Sequence, residues 1–298
     1  MIKTRRLGEN ALAGYWFVLP LILVMVFFLA YPIAKAAIMS VQYWYMPKPK
    51  PEGHYFVGLE NYISVFKDSS FTNALVVTGV YIVVTVIARF GIGLIAAVLL
   101  NTKFRGRGVA RALLIIPWAT PEVVACLVWI LMYDKDFGII NYLGMNFNLI
   151  SQPVGFITDP AIALWGAMAV GIWKGFPFVA IMLLAGLQSI PGELYEAARV
   201  DGAKPWEQFR MITWPLLKPV TIIVFLLLII WTVKDFGIVY LLARGGPSQS
   251  TEMLTIFIYH TSFKYFDFGE AAAAGMIMLL FCAIFTYFYL KMLNREEY

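Results

Sequence analysis

Apolar residues gather into six long runs separated by shorter polar stretches. Crossing a bilayer takes about 20 apolar residues, and the pattern predicts spans at 14–38, 73–100, 113–133, 161–186, 218–242 and 270–292. The first run, GYWFVLPLILVMVFFLAYPIAKA, follows Lys3, Arg5 and Arg6 and ends near Ala34-Lys35-Ala36. Its apolar core exceeds the roughly 7–15 residues of a secretory signal, so an uncleaved first span is expected. One polar interval breaks the rhythm. Residues 187–217, with ELYEAARVDGAKPW at their centre, are charged, rich in small residues and helix-forming.

That interval reads as two helical pieces. Ser189 is placed to cap the first, Pro191 stands near its first turn, and Glu193 falls early, where the helix dipole favours an anion. Leu194, Ala197, Ala198 and Asp201 share one face, the alanines giving room for close approach. Gly202 then supplies a left-handed stop, and Pro205 restarts a second helix, PWEQFRMITW, that runs to Pro215. The prediction is a helix–glycine–helix elbow on the membrane surface. Its apolar face is small, so burial in lipid would be weak and docking to a partner protein is the better use.

Composition agrees with the spans. Of 298 residues, 61% are hydrophobic and 14% charged, against about 45–50% and about 25% in soluble domains, which places the chain among membrane proteins. Net charge is +5, but the basic residues fall in separate clusters with no aromatic-interleaved groove, so no nucleic-acid partner is expected. With both termini cytoplasmic, inner segments carry 13 basic residues, including Lys103, Arg105, Arg107, Arg111, Arg199, Lys204 and Arg210, and outer segments carry 6. The bias predicts both termini and the elbow on the cytoplasmic side. YWYMPKPKPEG, between the first two spans, alternates proline and lysine and should form a stiff extended excursion. Cys126 and Cys282 sit in apolar runs, and His54 and His260 lack neighbours at ligand spacing, so no metal site is expected.

Ionisable residues at membrane depth cost at least about 2.5–3.5 kcal/mol, so they face protein or a water-filled cavity. Trp231 precedes Lys234 and Asp235 by three and four positions, setting all three on one side of the fifth span. A ring beside hydrogen-bonding groups suits a sugar, whose C–H face packs on the ring while its hydroxyls are bonded. The alternative is a charge pair that only orders the helices. Trp173, Lys174 and Phe176 repeat the combination beside Gly175 and Pro177, which should bend the fourth span. Arg89 stands about 18 Å from Asn101 at about 1.5 Å per residue, near mid-membrane. It either contacts an anionic solute or pairs with Glu122 or a group of another span, the pair being preferred. Glu122 shares that ambiguity, and Glu270 reads as a first-turn acid.

The elbow resembles the EAA signature of the membrane subunits of binding-protein-dependent ABC importers: E-A-A, three residues, G, nine residues, I-x-L-P. Here those are Glu196, Ala197, Ala198, Gly202, Ile212 and Pro215, with Trp214 where the family usually has leucine. FVGLENYISVF, LLNTKFRGRGVARALLIIPW, DFGIIN, LQSIPGELYEAA and GGPSQSTEMLTIFIYHTSFKYFDFGEAAAAG extend the likeness to the carbohydrate branch, of maltose type or glycerol-phosphate type. The resemblance implies an all-α membrane protein, a single permease domain over 1–298, with the six transmembrane helices of the type I importer fold. It makes Glu193–Asp201 a coupling helix, with Glu193, Glu196, Ala197, Ala198, Asp201 and Gly202 at its contact with an ATPase. It places solute contacts on the later spans.

The chain carries no G-x-x-x-x-G-K-[ST] loop, so it is not expected to bind nucleotide or act as an enzyme. The resemblance implies that two partner ATPase subunits hold ATP and Mg, alongside a second permease and an extracellular or periplasmic binding protein that delivers a sugar. Closure of the ATPases would push the coupling helix and rock the spans between inward- and outward-facing states. A polyol, glycerol phosphate or acidic saccharide would suit the same machinery. A standalone channel or secondary transporter would leave the elbow idle. For a membrane enzyme there is no H-E-x-x-H, G-x-S-x-G or paired-carboxylate signature.

Overall fold

The computed structural model describes residues 7–293, with side chains from 15 to 291; Lys3, Arg5, Arg6 and Arg295 of the charge count lie outside them. In chain order the helices are α1 (Leu7–Met25), α2 (Tyr31–Ser40), α3 (Glu60–Lys67), α4 (Ser69–Asn101), α5 (Arg107–Ala119), α6 (Glu122–Met132), α7 (Ile139–Asn146) and α8 (Ala163–Gln188). They continue with α9 (Gly192–Val200), α10 (Pro205–Gln208), α11 (Trp214–Val233), α12 (Gly237–Ala243), α13 (Leu254–Phe263) and α14 (Phe268–Leu293). Among the described residues β-pairing is limited to two isolated bridges. Among those residues five helical stretches are long and apolar enough to cross a membrane, six if the bent pair α5–α6 counts as one.

Two π turns have a common cause. Val26–Ala30 joins α1 to α2, and Phe209–Thr213 joins α10 to α11. In each, the next residue's amide reaches back five positions, Tyr31 to Val26 and Trp214 to Phe209, and a proline follows, Pro32 or Pro215. Proline brings no N–H and crowds the carbonyl four residues back; the wider turn just before it takes up that mismatch, so the helix continues. The expected stop at Pro215 is therefore absent, and one apolar helical stretch runs from Pro205 to Val233.

The chain divides into two compact units, Met1–Asp68 with Ile258–Leu280, and Ser69–Phe257 with Phe281–Tyr298. In the first, the proline–lysine stretch doubles back instead of extending. The Gly53 amide closes a turn onto Lys50, the rings of Tyr43 and Tyr55 stack at 5.4 Å, and Lys50 Nζ lies over both. Stacking and cation–π contact outweigh the extended preference of the prolines. Asn61 fixes the base of this loop, its side-chain amide donating at 2.9 Å to the carbonyls of both Ser40 and Gln42.

In the second unit α4, α8 and α11 pack on one another around two apolar clusters. One is built from Tyr81, Met168, Val170, Ile238 and Met253, the other from Val86, Val179, Leu183, Leu217 and Leu228. Along α8 the first ends at Val170 and the second begins at Val179; along the α11 segment the second ends at Leu228 and the first resumes at Ile238. Between them lie Lys174 on α8 and Thr232, Lys234 and Asp235 at the end of the α11 segment.

Two expected spans are interrupted. The 113–133 run is split at Thr120 and Pro121 into α5 and α6, which meet at 93°. Thr120, held extended by the following proline (ψ 130°), cannot carry the helix on. The fifth ends early: α11 stops at Val233 and α12 starts at Gly237, so 218–242 is not one helix. Asp235 turns its carboxylate to the amide of Ile238, a local bond that competes with continuing α11. In contrast α8 runs as uninterrupted helix through Gly175 and Pro177.

Candidate functional site

The elbow forms as a capped helix, though with a different start. Pro191, not Ser189, occupies the N-cap of α9; Ser189 Oγ donates to the Gly186 carbonyl at 2.8 Å and closes α8. Glu193 lies in the first turn. At the other end Gly202 adopts φ +83°, with its amide on the Arg199 carbonyl at 3.1 Å and that of Ala203 on Ala198 at 2.9 Å. This paired closure needs a left-handed residue, which glycine provides without a Cβ penalty. Pro205 opens α10, and the Glu207 carboxylate accepts from the Lys204 amide at 2.7 Å.

Side-chain hydrogen bonds hold the pieces of the elbow together. Tyr195 Oη and Thr213 Oγ1 are 2.9 Å apart, and Gln208 donates to the Ala203 carbonyl. No residue of α9 is buried. Glu193, Leu194, Glu196, Ala197, Val200, Asp201 and Gly202 are exposed, Val200 at 88% and nearby Trp206 at 70%. Glu196 does approach Arg199, at 4.0 Å, but both are exposed, so the pair contributes little. The segment is polar, yet it leaves these apolar side chains uncovered.

Between the apolar clusters lies a buried charge network. Arg89, 6% exposed, reaches from α4 to α8 and to the end of α11. Its Nε donates to the Gly171 carbonyl and its Nη1 to Thr232 Oγ1, each at 3.0 Å, while Nη2 lies 3.7 Å from Asp235. Tyr81 Oη donates to the same carboxylate at 2.9 Å, and Thr255 Oγ1 donates to the Asp235 backbone carbonyl. The guanidinium occupies a notch made by two glycines one turn apart. A Cβ on Gly171 would stand 2.7 Å from Tyr81 Oη, and one on Gly175 would stand 2.5 Å from Arg89 Nε. The partner of Arg89 is thus Asp235 and not Glu122, whose carboxylate instead abuts Gly237 at the start of α12.

Beside this network the bend between α5 and α6 is held by α8. Lys174 Nζ donates to the Thr120 carbonyl at 2.5 Å and lies 3.4 Å from that of Trp118, taking up acceptors the broken helix leaves over. Trp173 meets Trp129 of α6 edge to face at 5.5 Å. Three partly exposed rings form a second group: Phe178 lies 6.4 Å from Trp118 and 4.7 Å from Trp231, centroid to centroid. Trp118 is 49% exposed and Trp231 45%. We expect Lys174→Met to leave these carbonyls without a donor and to destabilise the chain by about 1–3 kcal/mol. Its thermal midpoint in detergent should fall; an unchanged midpoint would show that the bend does not depend on Lys174.

Of the residues proposed for the solute path, Trp173, Lys174 and Phe176 share α8, the last half-buried. Trp231, Lys234 and Asp235 do not share a helical side, because α11 ends at Val233; Lys234 is exposed while Asp235 turns into the network. Sequence reasoning passed over Trp118, Phe178 and the notch glycines. An i, i+4 glycine pair opposite a buried arginine was the signal for the notch.

Residues 89–296 match the family described as binding-protein-dependent transport system inner membrane component. The chain belongs to this family. It is thus a multi-pass membrane component of a transport system, with the all-helical permease fold of ABC importers. A similar relative is the trehalose/maltose transport system permease protein MalF of Thermococcus litoralis, 36% identical over 95% of this chain and 94% of that one. Another is the sn-glycerol-3-phosphate transport system permease protein UgpA of Agrobacterium fabrum, 30% identical over 96% of each chain. Among solved structures, a bacterial alginate ABC transporter in complex with alginate pentasaccharide-bound periplasmic protein has a chain matching 96% of this one, with TM-score 0.81 and 21% identity. That likeness concerns the fold.

Proposed function

We propose that the chain is one permease of a sugar importer in the cytoplasmic membrane, with both termini on the cytoplasmic side. It forms half of a translocation pathway with a second, related permease. Two ATPase subunits bind ATP and Mg, and an external binding protein delivers a sugar or oligosaccharide; the chain itself catalyses no reaction. The observation that carries this reading is the capped, uncovered α9 elbow in a chain of this transport family. In it Glu193, Glu196, Ala197, Ala198, Asp201 and Gly202 meet an ATPase, and its closure is passed through α8 and α11 to the spans.

For the solute path we assign the rings of Trp118, Phe178 and Trp231, with Trp173, Lys174, Phe176 and Lys234 alongside. Partly exposed rings near a bonded lysine suit the C–H faces of a saccharide. Arg89 and Asp235 serve as the fixed pair behind that path. Because the Arg89 guanidinium is already engaged by Asp235, Thr232 and Gly171, a neutral saccharide is favoured over an anionic solute. The names of two relatives, trehalose/maltose and sn-glycerol-3-phosphate, set the first solutes to try.

The test is uptake by proteoliposomes holding the chain with its partner subunits, scored against a panel of saccharides and glycerol phosphate. ATP-dependent uptake of a saccharide is expected. Trp231→Ala should lower it about tenfold, the equivalent of about 1.4 kcal/mol of ring contact, with assembly unchanged. Uptake that persists without the ATPases would instead establish a channel or secondary transporter. Normal uptake by Trp231→Ala would remove this ring from the path.

A further inference from the structure

A second polar feature lies where α5 and α8 meet, just before the elbow. Arg107 and Arg111 stand one turn apart on α5, an arrangement that sets like charges side by side. Both turn to Gln188, the last residue of α8. With the amide oriented to satisfy them, its oxygen accepts from Arg107 Nη2 at 2.7 Å and from Arg111 Nη2 at 2.5 Å. Two full positive charges thus share one neutral oxygen. The Nε atoms of both are buried without an acceptor, and neither guanidinium has a carboxylate at ion-pair distance among the described residues. Such a pair is incomplete without an anion.

What adjoins the pair says which anion. From Arg111 and Gln188 a groove of about 240 Å³ runs between the two helices, and its walls are aliphatic: Leu100, Leu114, Ile115, Ile181, Leu184 and Ala185. On the outer side of α5 Val109 and Leu113 are 65% and 60% exposed, as expected of a face turned to lipid. A free phosphate or a protein carboxylate would use the arginines and leave the groove empty. A phospholipid uses both, its phosphate on the guanidiniums and an acyl chain along the groove. The geometry points to a binding site for one anionic phospholipid, seated on Arg107 and Arg111 at the root of the coupling segment. The proposal rests on the reading that this end of α5 and α8 lies at a membrane–water interface. A lipid here would brace the joint from which α9 departs.

The test uses the purified full chain in detergent and native mass spectrometry, with no dependence on transport. Phosphatidylglycerol and phosphatidylcholine of matched chains are offered together. One phosphatidylglycerol should be retained with a preference on the order of tenfold, from two basic groups at an interface. Arg107→Gln with Arg111→Gln should abolish the preference, and Ala185→Phe, which fills the groove and keeps both charges, should weaken retention. Equal retention of the two lipids by the wild-type chain would overturn the proposal, as would an unchanged preference in the arginine double variant. Displacement of the lipid by millimolar inorganic phosphate would overturn it too, marking a free-anion site. Should the double variant fail to fold, the wild-type competition and Ala185→Phe decide.

Discussion

Asp235→Ala is expected to destabilise the chain by about 3–5 kcal/mol, the penalty for removing one partner of a buried ion pair. The loss has identifiable parts. The Arg89 guanidinium keeps Gly171 and Thr232 but loses its countercharge, and Tyr81 Oη loses the acceptor it holds at 2.9 Å. Burial leaves no water to replace either one, since Arg89 is 6% exposed and Tyr81 not at all. Nor is there an easy retreat for the guanidinium from a notch walled by Gly171 and Gly175. Arg89→Ala should cost as much. Replacing both with apolar groups of similar volume, Arg89→Met with Asp235→Leu, should recover most of the loss, because no charge is then stranded. The comparison is the thermal midpoint of each purified variant in detergent. Single variants that melt with the wild type, or a double variant no better than the singles, would contradict this account.

The second large effect concerns motion. Gly202→Pro should leave the chain folded and inserted but reduce ATP-driven uptake to the level of vesicles without ATPase. Proline holds φ near −65°, so it cannot take the +83° of Gly202, and it removes the amide that bonds Arg199. The elbow must then re-aim α9 relative to α10. Folding should survive because no residue of α9 is buried. Gly202→Ala is the graded control: a left-handed alanine costs about 1–2 kcal/mol, so most uptake should remain. Glu196→Ala keeps the elbow's shape and should still uncouple uptake, since its pair with Arg199 is too exposed to matter for stability. Normal ATP-driven uptake by Gly202→Pro would mean that this segment does not carry the ATPase's closure.

Much of this protein could be read from local pattern. Long apolar runs become helices because a backbone buried in lipid must satisfy its own hydrogen bonds. The elbow was legible because a left-handed glycine and a helix-opening proline act within a few residues of themselves. Where local chemistry had two outlets, reading by type went astray. Ser189 had a helix to start and a helix to finish, and it finishes α8. Pro215 looked like a break, yet a π turn admits it and the helix runs on. The break fell at Pro121, where Thr120 is extended and Lys174, from another helix, takes up the loose carbonyls.

The buried charges mark the boundary between the two kinds of knowledge. From the sequence, Arg89 at mid-membrane depth had to face protein or a water-filled cavity, because an isolated charge in lipid is too costly, and a pair was the preferred reading. Which partner depended on how α4, α8 and α11 pack: Asp235 reaches it only because α11 ends at Val233, and it fits only because Gly171 and Gly175 make room. Hydrophobic period and capping are properties of neighbouring residues and are written in their order. The pairing of Arg89 with Asp235 and the convergence of Arg107 and Arg111 on Gln188 join groups far apart along the chain, and packing alone brings them within bonding distance.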